Sequence, residues 1–372
     1  MDGVKITENI QEMVEIGREL IKNKPNTYRP EILEGMKKHI DRVMRDASAN
    51  AKEEALCRAV YDFWVYGVNV PEEFYYGFRD KSHEEKTKYI TFRTRLTYAR
   101  HLNDYERAHR DLDDKYRSFE LMKPYYLRDV VLVRDESSFA DFERFVYAHN
   151  TFVVKPNSLG LAIGVRKDSL SNYESVRAFF NKTLEEVQYY KDHYRWGGEP
   201  GVVLEEVIEQ DEKMAALHAE SANAIRITTV YVNGEAHVWY PWIKMGVNGE
   251  FVTSGALNSI NAAVDPQTGV IITDACNEYL ESFAEHPNSH VVFKGFQVPR
   301  WDELLSTVKE LAEYFKGINY IGWDMVLTPR GWCVMEANPE GEFLSQLYYE
   351  RGMKEEFENL IGWHPEIEFW DK

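Results

Sequence analysis

The sequence predicts an α+β protein in which a helical N-terminal region precedes a larger part of mixed helices and strands. Two observations support this fold class. Apolar residues recur at helical spacing as far as about residue 125, and after Pro124 they form short runs separated by turns and helices. With 372 residues, 44% of them apolar, the chain is long enough for two or three subdomains with buried cores.

The N-terminal helices are predicted from apolar stripes and from residues typical of helix starts. Pro30 is a favourable first-turn residue for the second of three stripes. The segment from Ser82 to Glu85 resembles a capping box, so we expect a helix from there toward His101. A last helix is expected at 103–122. The stripes are Ile10, Met13, Val14, Gly17, Leu20 and Ile21; Ile32, Leu33, Met36, Ile40, Val43 and Met44; and Leu56, Ala59, Val60, Phe63 and Trp64.

The remainder of the chain is expected to alternate between strands and helices. Two helices are predicted, one around Phe139 to Val146 and a longer one at 173–194. The turn from Thr328 to Gly331 has proline and glycine at favoured places, which predicts a hairpin between the runs at 320–327 and 332–336. The other predicted strands are 130–133, 152–154, 202–207, 225–232 and 236–242.

Charge and composition exclude several functional classes. The formal net charge of -18 would repel a phosphate backbone, and basic residues do not cluster with aromatic ones, so a nucleic-acid partner is not expected. The N-terminus does not resemble a signal peptide, and no apolar stretch approaches bilayer length, so we expect a soluble, cytoplasmic protein without membrane insertion. The spacing of the three cysteines suggests neither a disulfide nor a zinc site.

One candidate metal site lies on the predicted hairpin. Glu336 and Asn338 are two residues apart on a strand, so their side chains leave the same face. A pairing symmetric about the turn brings Asp324 near Glu336, and three oxygen ligands then suit Mg²⁺. The alternative is that the two acids are solvated residues on a strand face. Their apolar neighbours favour the metal site, since a buried carboxylate needs a partner.

A second constellation begins with Lys155 at the end of a predicted strand. Asn157, Ser158 and two glycines follow, and such a loop can direct its amides toward phosphate oxygens while the lysine supplies positive charge. The lysine precedes the glycines, so this is not a P-loop. An ordinary hairpin turn with an exposed lysine explains the segment equally well when it is considered alone.

Two further strands carry charged residues among apolar ones. Backbone groups beyond the strand ending at Glu205 and Glu206 can bind an adenine edge, and Glu212 can hold ribose hydroxyls. Arg226 interrupts an apolar strand and shares a face with Thr228, so it can bind a carboxylate or a phosphate with two hydrogen bonds. A structural salt bridge is the alternative interpretation of Arg226.

The four constellations occur in an order that resembles the ATP-grasp superfamily over residues 103–352. Within it the chain resembles the sugar-transfer-associated ATP-grasp family, whose members have a helical N-terminal region. The motifs similar to that family are Leu102-Asn103, Asp114-Lys115-Tyr116, His286-Pro287, Val298-Pro299-Arg300-Trp301 and Gly322-Trp323-Asp324.

The resemblance implies an ATP-grasp fold, with a helical region at 1–125, an N-lobe at 126–212 and a C-lobe with the metal site at 213–372. ATP and one or two Mg²⁺ ions would lie between the lobes. The resemblance implies that Lys115 and Lys155 contact the nucleotide and that Arg226 faces the transferred phosphate. The adenine would meet the hinge residues Glu205, Glu206, Val207 and Ile208, and the metal ligands would be Asp324, Glu336 and Asn338.

Two departures from the family pattern affect the expected substrate. The segment around Asn258, where substrate is expected to bind, lacks the Gly-Gly pair of family members. An arginine on the neighbouring strand is replaced by Lys244, which would act beside Arg226 and Lys155 in catalysis. Lysine cannot reproduce a two-pronged arginine contact, so the substrate of relatives does not transfer directly.

The function implied is an ATP-dependent carboxylate-amine ligase working through an acylphosphate. It would join an amino acid or amine to a sugar acid or small peptide, in polysaccharide or natural-product biosynthesis. A phosphotransferase acting on a small hydroxyl substrate is the alternative, and a non-catalytic scaffold is a third hypothesis. Three roles remain open for the helical region: it covers the active site, it mediates oligomerisation, as in a homodimer, or it recognises a partner.

Overall fold

The computed structural model describes residues 4–23, 30–160, 162–194, 199–251, 253 and 259–366. The chain divides into two compact units. The first unit comprises Met1–Tyr98, Glu278–Glu281 and Glu342–Lys372, and the second comprises Ala99–Asn277 and Ser282–Gly341. The predicted boundaries at residues 125 and 212 stay a prediction.

The helices of the described residues are α1 Ile10–Asn23, α2 Pro30–Val43, α3 Ala49–Tyr66, α4 Val70–Tyr75, α5 His83–Lys86, α6 Phe92–Leu102, α7 Tyr105–Leu112, α8 Lys115–Leu121, α9 Lys123–Tyr126, α10 Phe139–Ala148, α11 Val176–His193, α12 Glu212–Ala215, α13 Trp301–Tyr314, α14 Ser345–Tyr348 and α15 Lys354–Ile361. Short 3-10 helices cover Phe78–Asp80, Glu136–Ser138 and Leu170–Asn172. The strands are β1 Val130–Val133, β2 Phe152–Pro156, β3 Arg166–Asp168, β4 Val202–Glu206, β5 Ala224–Val232, β6 Glu235–Met245, β7 Ile260–Ala263, β8 Ala275–Cys276, β9 Ser282–Phe283, β10 Tyr320–Thr328 and β11 Gly331–Asn338.

Two of the predicted helices are interrupted by contacts distant in sequence. The capping box of Ser82 and Glu85 is present, but α5 ends after four residues, so the prediction of a continuous helix toward His101 is wrong. The side chain of Gln346 hydrogen-bonds both the amide and the carbonyl of Ile90, at 2.8 Å each, and replaces the helical partners of that residue. The helix expected at 103–122 is likewise two helices, α7 and α8, because Asp114 caps a new start by accepting from the amide of Arg117.

The first sheet of the second unit has the order β1-β4-β2-β3, with antiparallel pairing throughout. Phe152, Val154, Val202 and Leu204 point into a core with α10 and α11. Because side chains alternate along a strand, Lys155 and Glu205 lie on the opposite face of this sheet.

The second sheet has the order β11-β10-β5-β6-β7-β8-β9. One face packs on α13 through residues such as Ile227, Trp323 and Val334. Arg226 and Asp324 alternate with these core residues and therefore lie on the other face, where they pair directly across the strands. The predicted hairpin and strands are all present, whereas β3, β7, β8 and β9 were not predicted.

Two β-bulges flank this polar face of the second sheet. On one side Met325 pairs with Val334 while Asp324 pairs with Glu336, which leaves Met335 as an extra residue. On the other side the register of β5 and β6 shifts between Arg226 and Thr228. Bulges of this kind redirect side chains, and they are frequent beside active sites.

Candidate functional site

A buried carboxylate on β10 is shared by two cations from neighbouring strands. Arg226 donates to both oxygens of Asp324, with Nε to Oδ1 at 2.6 Å and Nη2 to Oδ2 at 2.9 Å. The Lys244 Nζ donates to the same Oδ2 at 3.3 Å. Burial opposes ionisation of Asp324, but Arg226 and Lys244 outweigh it and hold the pKa of this carboxyl far below its usual range. Asp324 is therefore an anion whose charge is more than balanced.

Glu336 and Asn338 lie on the same face of the second sheet as Asp324. The bulge at Met335 is what brings Glu336 opposite Asp324, because the register that begins with Thr328 and Gly331 would otherwise put Met335 there. The Glu336 side chain is 41% exposed, and one of its oxygens is 3.9 Å from Lys115 Nζ. The Asn338 Nδ2 donates to the carbonyl of Gly322 at 3.3 Å.

The donor set fits a hard divalent cation. Glu336 is accessible, and the Asn338 amide is oriented by Gly322 so that its oxygen is directed away from that carbonyl. Asp324 lies next to Glu336 across the strands. Carboxylate and amide oxygens are ligands that Mg²⁺ accepts.

A second buried carboxylate, Glu205 at the end of β4, is also shared by two cations. Its Oε1 lies 2.7 Å from Lys155 Nζ, and its Oε2 accepts from Arg128 Nε at 3.0 Å. Burial opposes ionisation of Glu205, but Arg128 and Lys155 overcome it and lower the pKa of this carboxyl to about 2. Burial also lowers the pKa of Lys155, since the charge of Glu205 compensates only in part.

Lys115, the first residue of α8, contacts the loop after β2 and lies near the edge strand β11 of the second sheet. Its Nζ donates to the carbonyl of Leu159 at 2.6 Å, in the loop after β2, and lies near Glu336 of β11. Its backbone amide donates to the carbonyl of Asn157 at 3.0 Å. Lys115 therefore ties the loop after β2 to the acidic edge of the second sheet.

The polar side chains of the predicted phosphate loop bind backbone groups. Asn157 is buried; its Oδ1 accepts from the amide of Tyr116, and its Nδ2 donates to the carbonyl of Glu199. The Ser158 hydroxyl donates to the same carbonyl at 3.1 Å. These contacts anchor the start of the loop. Any contact of Asn157 or Ser158 with a nucleotide stays a prediction.

The remaining predicted residues lie at the end of β4 and beyond. Glu206 accepts from the amide of Asp129 at 3.1 Å, and Val207 and Ile208 are half-buried. Glu212 is exposed at the first position of α12. Asn258 lies outside the described residues. Among the residues that are described, Asp129, His149 and Glu206 form a group whose ligand atoms lie within 4.8 Å of one another, separate from the predicted metal ligands.

Sequence reasoning missed Arg128, which lies between α9 and β1. Its side chain is only 2% exposed and contacts both Glu205 and the backbone of β11. The sequence signal was weak, because Arg128 stands beside Asp129 in what reads as an ordinary polar connection. Its partners are distant in sequence, so no local pattern identifies it.

The residues joined by these ion pairs carry surplus positive charge in an acidic protein. The cations of the ion pairs are Lys115, Arg128, Lys155, Arg226 and Lys244, and the carboxylates are Glu205, Asp324 and Glu336. Cations therefore exceed carboxylates by two among these ion-paired residues. An anionic ligand with a metal ion would balance such a site.

The fold and these ion pairs define a class of α+β proteins with two sheets that both contribute buried, paired charges. The sequence model of the sugar-transfer associated ATP-grasp family matches residues 93–361. The chain belongs to this family, and its fold is the ATP-grasp fold with a helical N-terminal region.

Comparisons with other proteins find similarity mainly in structure. No curated protein matches the sequence. Three similar solved structures are D-alanyl-alanine synthetase A from Vibrio cholerae (12% identity, TM-score 0.37), D-alanine-D-alanine ligase from Helicobacter pylori (16%, 0.37) and an L-amino acid ligase from Bacillus licheniformis (16%, 0.37). They cover 61%, 68% and 65% of this chain, which in turn spans 55%, 61% and 46% of theirs.

None of the described helices is both long enough and apolar enough to cross a bilayer.

Proposed function

We propose that this protein is an ATP-dependent ligase that joins a small-molecule carboxylate to an amine. The observation that carries the proposal is that two buried carboxylates, Glu205 and Asp324, are each shared by two cations. A purely structural ion pair needs one cation for each acid, whereas a site for a polyanion needs surplus positive charge. Family membership supports ATP as that polyanion.

The first step of the proposed reaction forms a bond between a carboxylate oxygen of the substrate and the γ-phosphorus of ATP. The bond from that phosphorus to the oxygen bridging to the β-phosphate breaks, and ADP leaves. Both reactants are anions, so the step depends on charge neutralisation and alignment more than on a general base. Lys115 and Lys155 would hold the nucleotide phosphates, and Arg226 and Lys244 would face the transferred group.

In the second step the amine nitrogen attacks the carbonyl carbon of the acylphosphate. The carbon–nitrogen bond forms, inorganic phosphate leaves with the bonding electrons, and the amine loses its proton. Asp324, Glu336 and Asn338 would hold one or two Mg²⁺ ions. When bound, these ions would neutralise charge on the phosphates. The loop after β2 would exclude water from the acylphosphate.

The nucleoside half of ATP is assigned to the end of β4. The backbone from Glu205 to Ile208 would meet the adenine, and Glu212 would hold the ribose. The half-buried Val207 and Ile208 support this placement, because apolar side chains pack well against a purine.

The identity of the two substrates belongs to the proposal as well. The family description supports a sugar acid as the carboxylate, in polysaccharide or natural-product biosynthesis. Lys244 would face this substrate beside Arg226, and the segment around Asn258 would complete the substrate site. A cytoplasmic location and a homodimer are further parts of the proposal; sedimentation of the purified protein tests the homodimer.

Product analysis with purified protein tests the proposal. Incubation with ATP, Mg²⁺ and paired panels of sugar acids and amines should release ADP and phosphate in equal amounts together with an amide. ADP without free phosphate would instead indicate a phosphotransferase. Replacing Glu336 by Gln should abolish ADP release, whereas the matched control Glu313→Gln, an exposed acid on α13, should keep it. Unchanged turnover of E336Q would contradict the metal assignment.

A further inference from the structure

Arg128 joins the two sheets at the candidate site. From the connection between α9 and β1, its guanidinium donates to Glu205 of the first sheet at 3.0 Å. It also donates to two carbonyls of β11 in the second sheet, to Val334 at 2.7 Å and to Met335 at 3.3 Å. A further hydrogen bond of 3.1 Å, to the carbonyl of Tyr126 two residues earlier, fixes the guanidinium relative to its own backbone. Such a planar fork, buried and bound through all three of its nitrogens, holds its partners in fixed geometry.

The two carbonyls on β11 belong to the bulge that orients Glu336. Met335 is the extra residue of that bulge, and Val334 is the last residue paired before it. Without the bulge, Met335 would pair with Asp324, and Glu336 would pair with Trp323 and leave the sheet on the face that packs on α13. A donor that binds both carbonyls stabilises the bulged conformation.

The same guanidinium fixes the partner of Lys155. Glu205 has one oxygen on Arg128 and the other on Lys155, so the position of the lysine ammonium depends on the carboxylate that Arg128 orients. Arg128 thus contacts the carboxylate that holds Lys155, a predicted nucleotide ligand, and the backbone that precedes Glu336, a predicted metal ligand.

We propose that Arg128 is a positioning residue that links nucleotide binding at the first sheet to the side-chain orientation of the metal ligand Glu336 on the second sheet. The inference rests on the proposed function of the site. Arg128 touches neither the nucleotide nor the metal; it acts through Glu205 and through the bulge at Met335.

Binding of ADP with and without Mg²⁺ tests this role. The measured quantity is the ratio of the ADP dissociation constants in the absence and in the presence of Mg²⁺. Arg128→Lys keeps the charge but cannot span both sheets, so the ratio should fall about 10–100-fold, as is typical when support for a metal ligand is lost. The control Arg177→Lys, an arginine on α11 whose side chain is 47% exposed, should keep the wild-type ratio.

A double variant separates positioning from general damage. If Arg128 acts through Glu336, R128K should lower the ratio less in a protein that carries E336D, which keeps the charge of the ligand but shortens its reach, than in the wild-type protein. A ratio at the wild-type value in R128K, or losses that multiply in the double variant, would overturn the inference. Equal weakening of ADP binding with and without metal would also overturn it, because Arg128 would then serve the first sheet alone.

A measurement on the wild-type protein covers the case in which R128K does not fold. ADP without metal should slow amide hydrogen exchange at 332–336 of β11 as well as at 152–155 of β2. Protection confined to the first sheet would contradict the link. Absence of ADP binding by the wild-type protein would instead refute the proposed function, so the two failures are distinguishable.

Discussion

Replacing Glu205 by glutamine removes the carboxylate that Arg128 and Lys155 share. The pKa of this carboxyl falls from its ordinary value of 4.5 to about 2 in the folded protein. A shift of that size corresponds to roughly 3 kcal/mol of stabilisation at neutral pH. Breaking a buried ion pair on one side costs a similar amount, about 3–5 kcal/mol, because it leaves uncompensated charge.

The pH dependence of this contribution has a definite sign. Because the pKa of Glu205 is lower in the folded protein, the unfolded chain binds more protons as the solution is acidified. The stabilisation is complete above pH 4.5 and is lost as the pH falls through about 2. In Glu205→Gln this part of the acid-induced loss of stability should be missing.

Urea denaturation of wild-type and E205Q protein between pH 3 and pH 7 measures both effects. At pH 7 the free energy of unfolding should fall by roughly 3 kcal/mol in the variant. Glu185→Gln, an exposed acid on α11, serves as the matched control and should change stability by less than about 0.5 kcal/mol. A loss below about 1 kcal/mol in E205Q would refute the charge-sharing argument.

Three other substitutions test separate parts of the structure. Lys155→Met should weaken ADP binding at least about tenfold in calorimetric titration, because a buried cation is lost, while Lys182→Met, an exposed lysine on α11, should leave binding unchanged. Gly164→Ala should lower the melting temperature, since Gly164 has a φ of 70° and a Cβ there would lie 2.2 Å from the Tyr190 hydroxyl; an unchanged melting temperature would contradict the loop conformation. Burial raises the pKa of the Glu73 carboxyl, so between pH 4.5 and the raised pKa the folded chain binds a proton that the unfolded chain has released, and the free energy of unfolding should decline as the pH rises above 4.5. Glu73→Gln should flatten this decline, and an unaltered pH profile of stability would contradict the raised pKa.

Local patterns in the sequence predicted the elements that carry the site. The hairpin from Tyr320 to Asn338 follows from two apolar runs around a Pro-Arg-Gly turn, and the structure has it. The order of the constellations indicated the family, which the match over residues 93–361 confirms. Both results depend on information confined to short stretches of chain.

Features that depend on distant residues were not predictable in the same way. The helix predicted beyond Ser82 ends early because Gln346 binds the backbone of Ile90, a contact across 256 positions. Counting symmetrically about the turn predicted that Asp324 lies near Glu336, which is correct, but for a different reason. The strands pair from Thr328 and Gly331, and this register reaches Glu336 only through the bulge at Met335, which has no sequence signal.

The residues of the candidate site divide in the same manner. Lys155, Arg226 and Asp324 stand out because charged residues interrupt apolar strands. Arg128 does not stand out, because its role comes from the carbonyls of β11, which any sequence would supply.

Calorimetric titration of the wild-type protein with ADP, in the presence and in the absence of Mg²⁺, measures whether this site binds a nucleotide together with a metal ion. We expect saturable binding at one site, with a dissociation constant below about 1 mM that Mg²⁺ lowers further. We also expect E336Q to retain binding but to lose the effect of Mg²⁺. No binding of ADP at millimolar concentration, or an effect of Mg²⁺ that survives in E336Q, would contradict the assignment of this site.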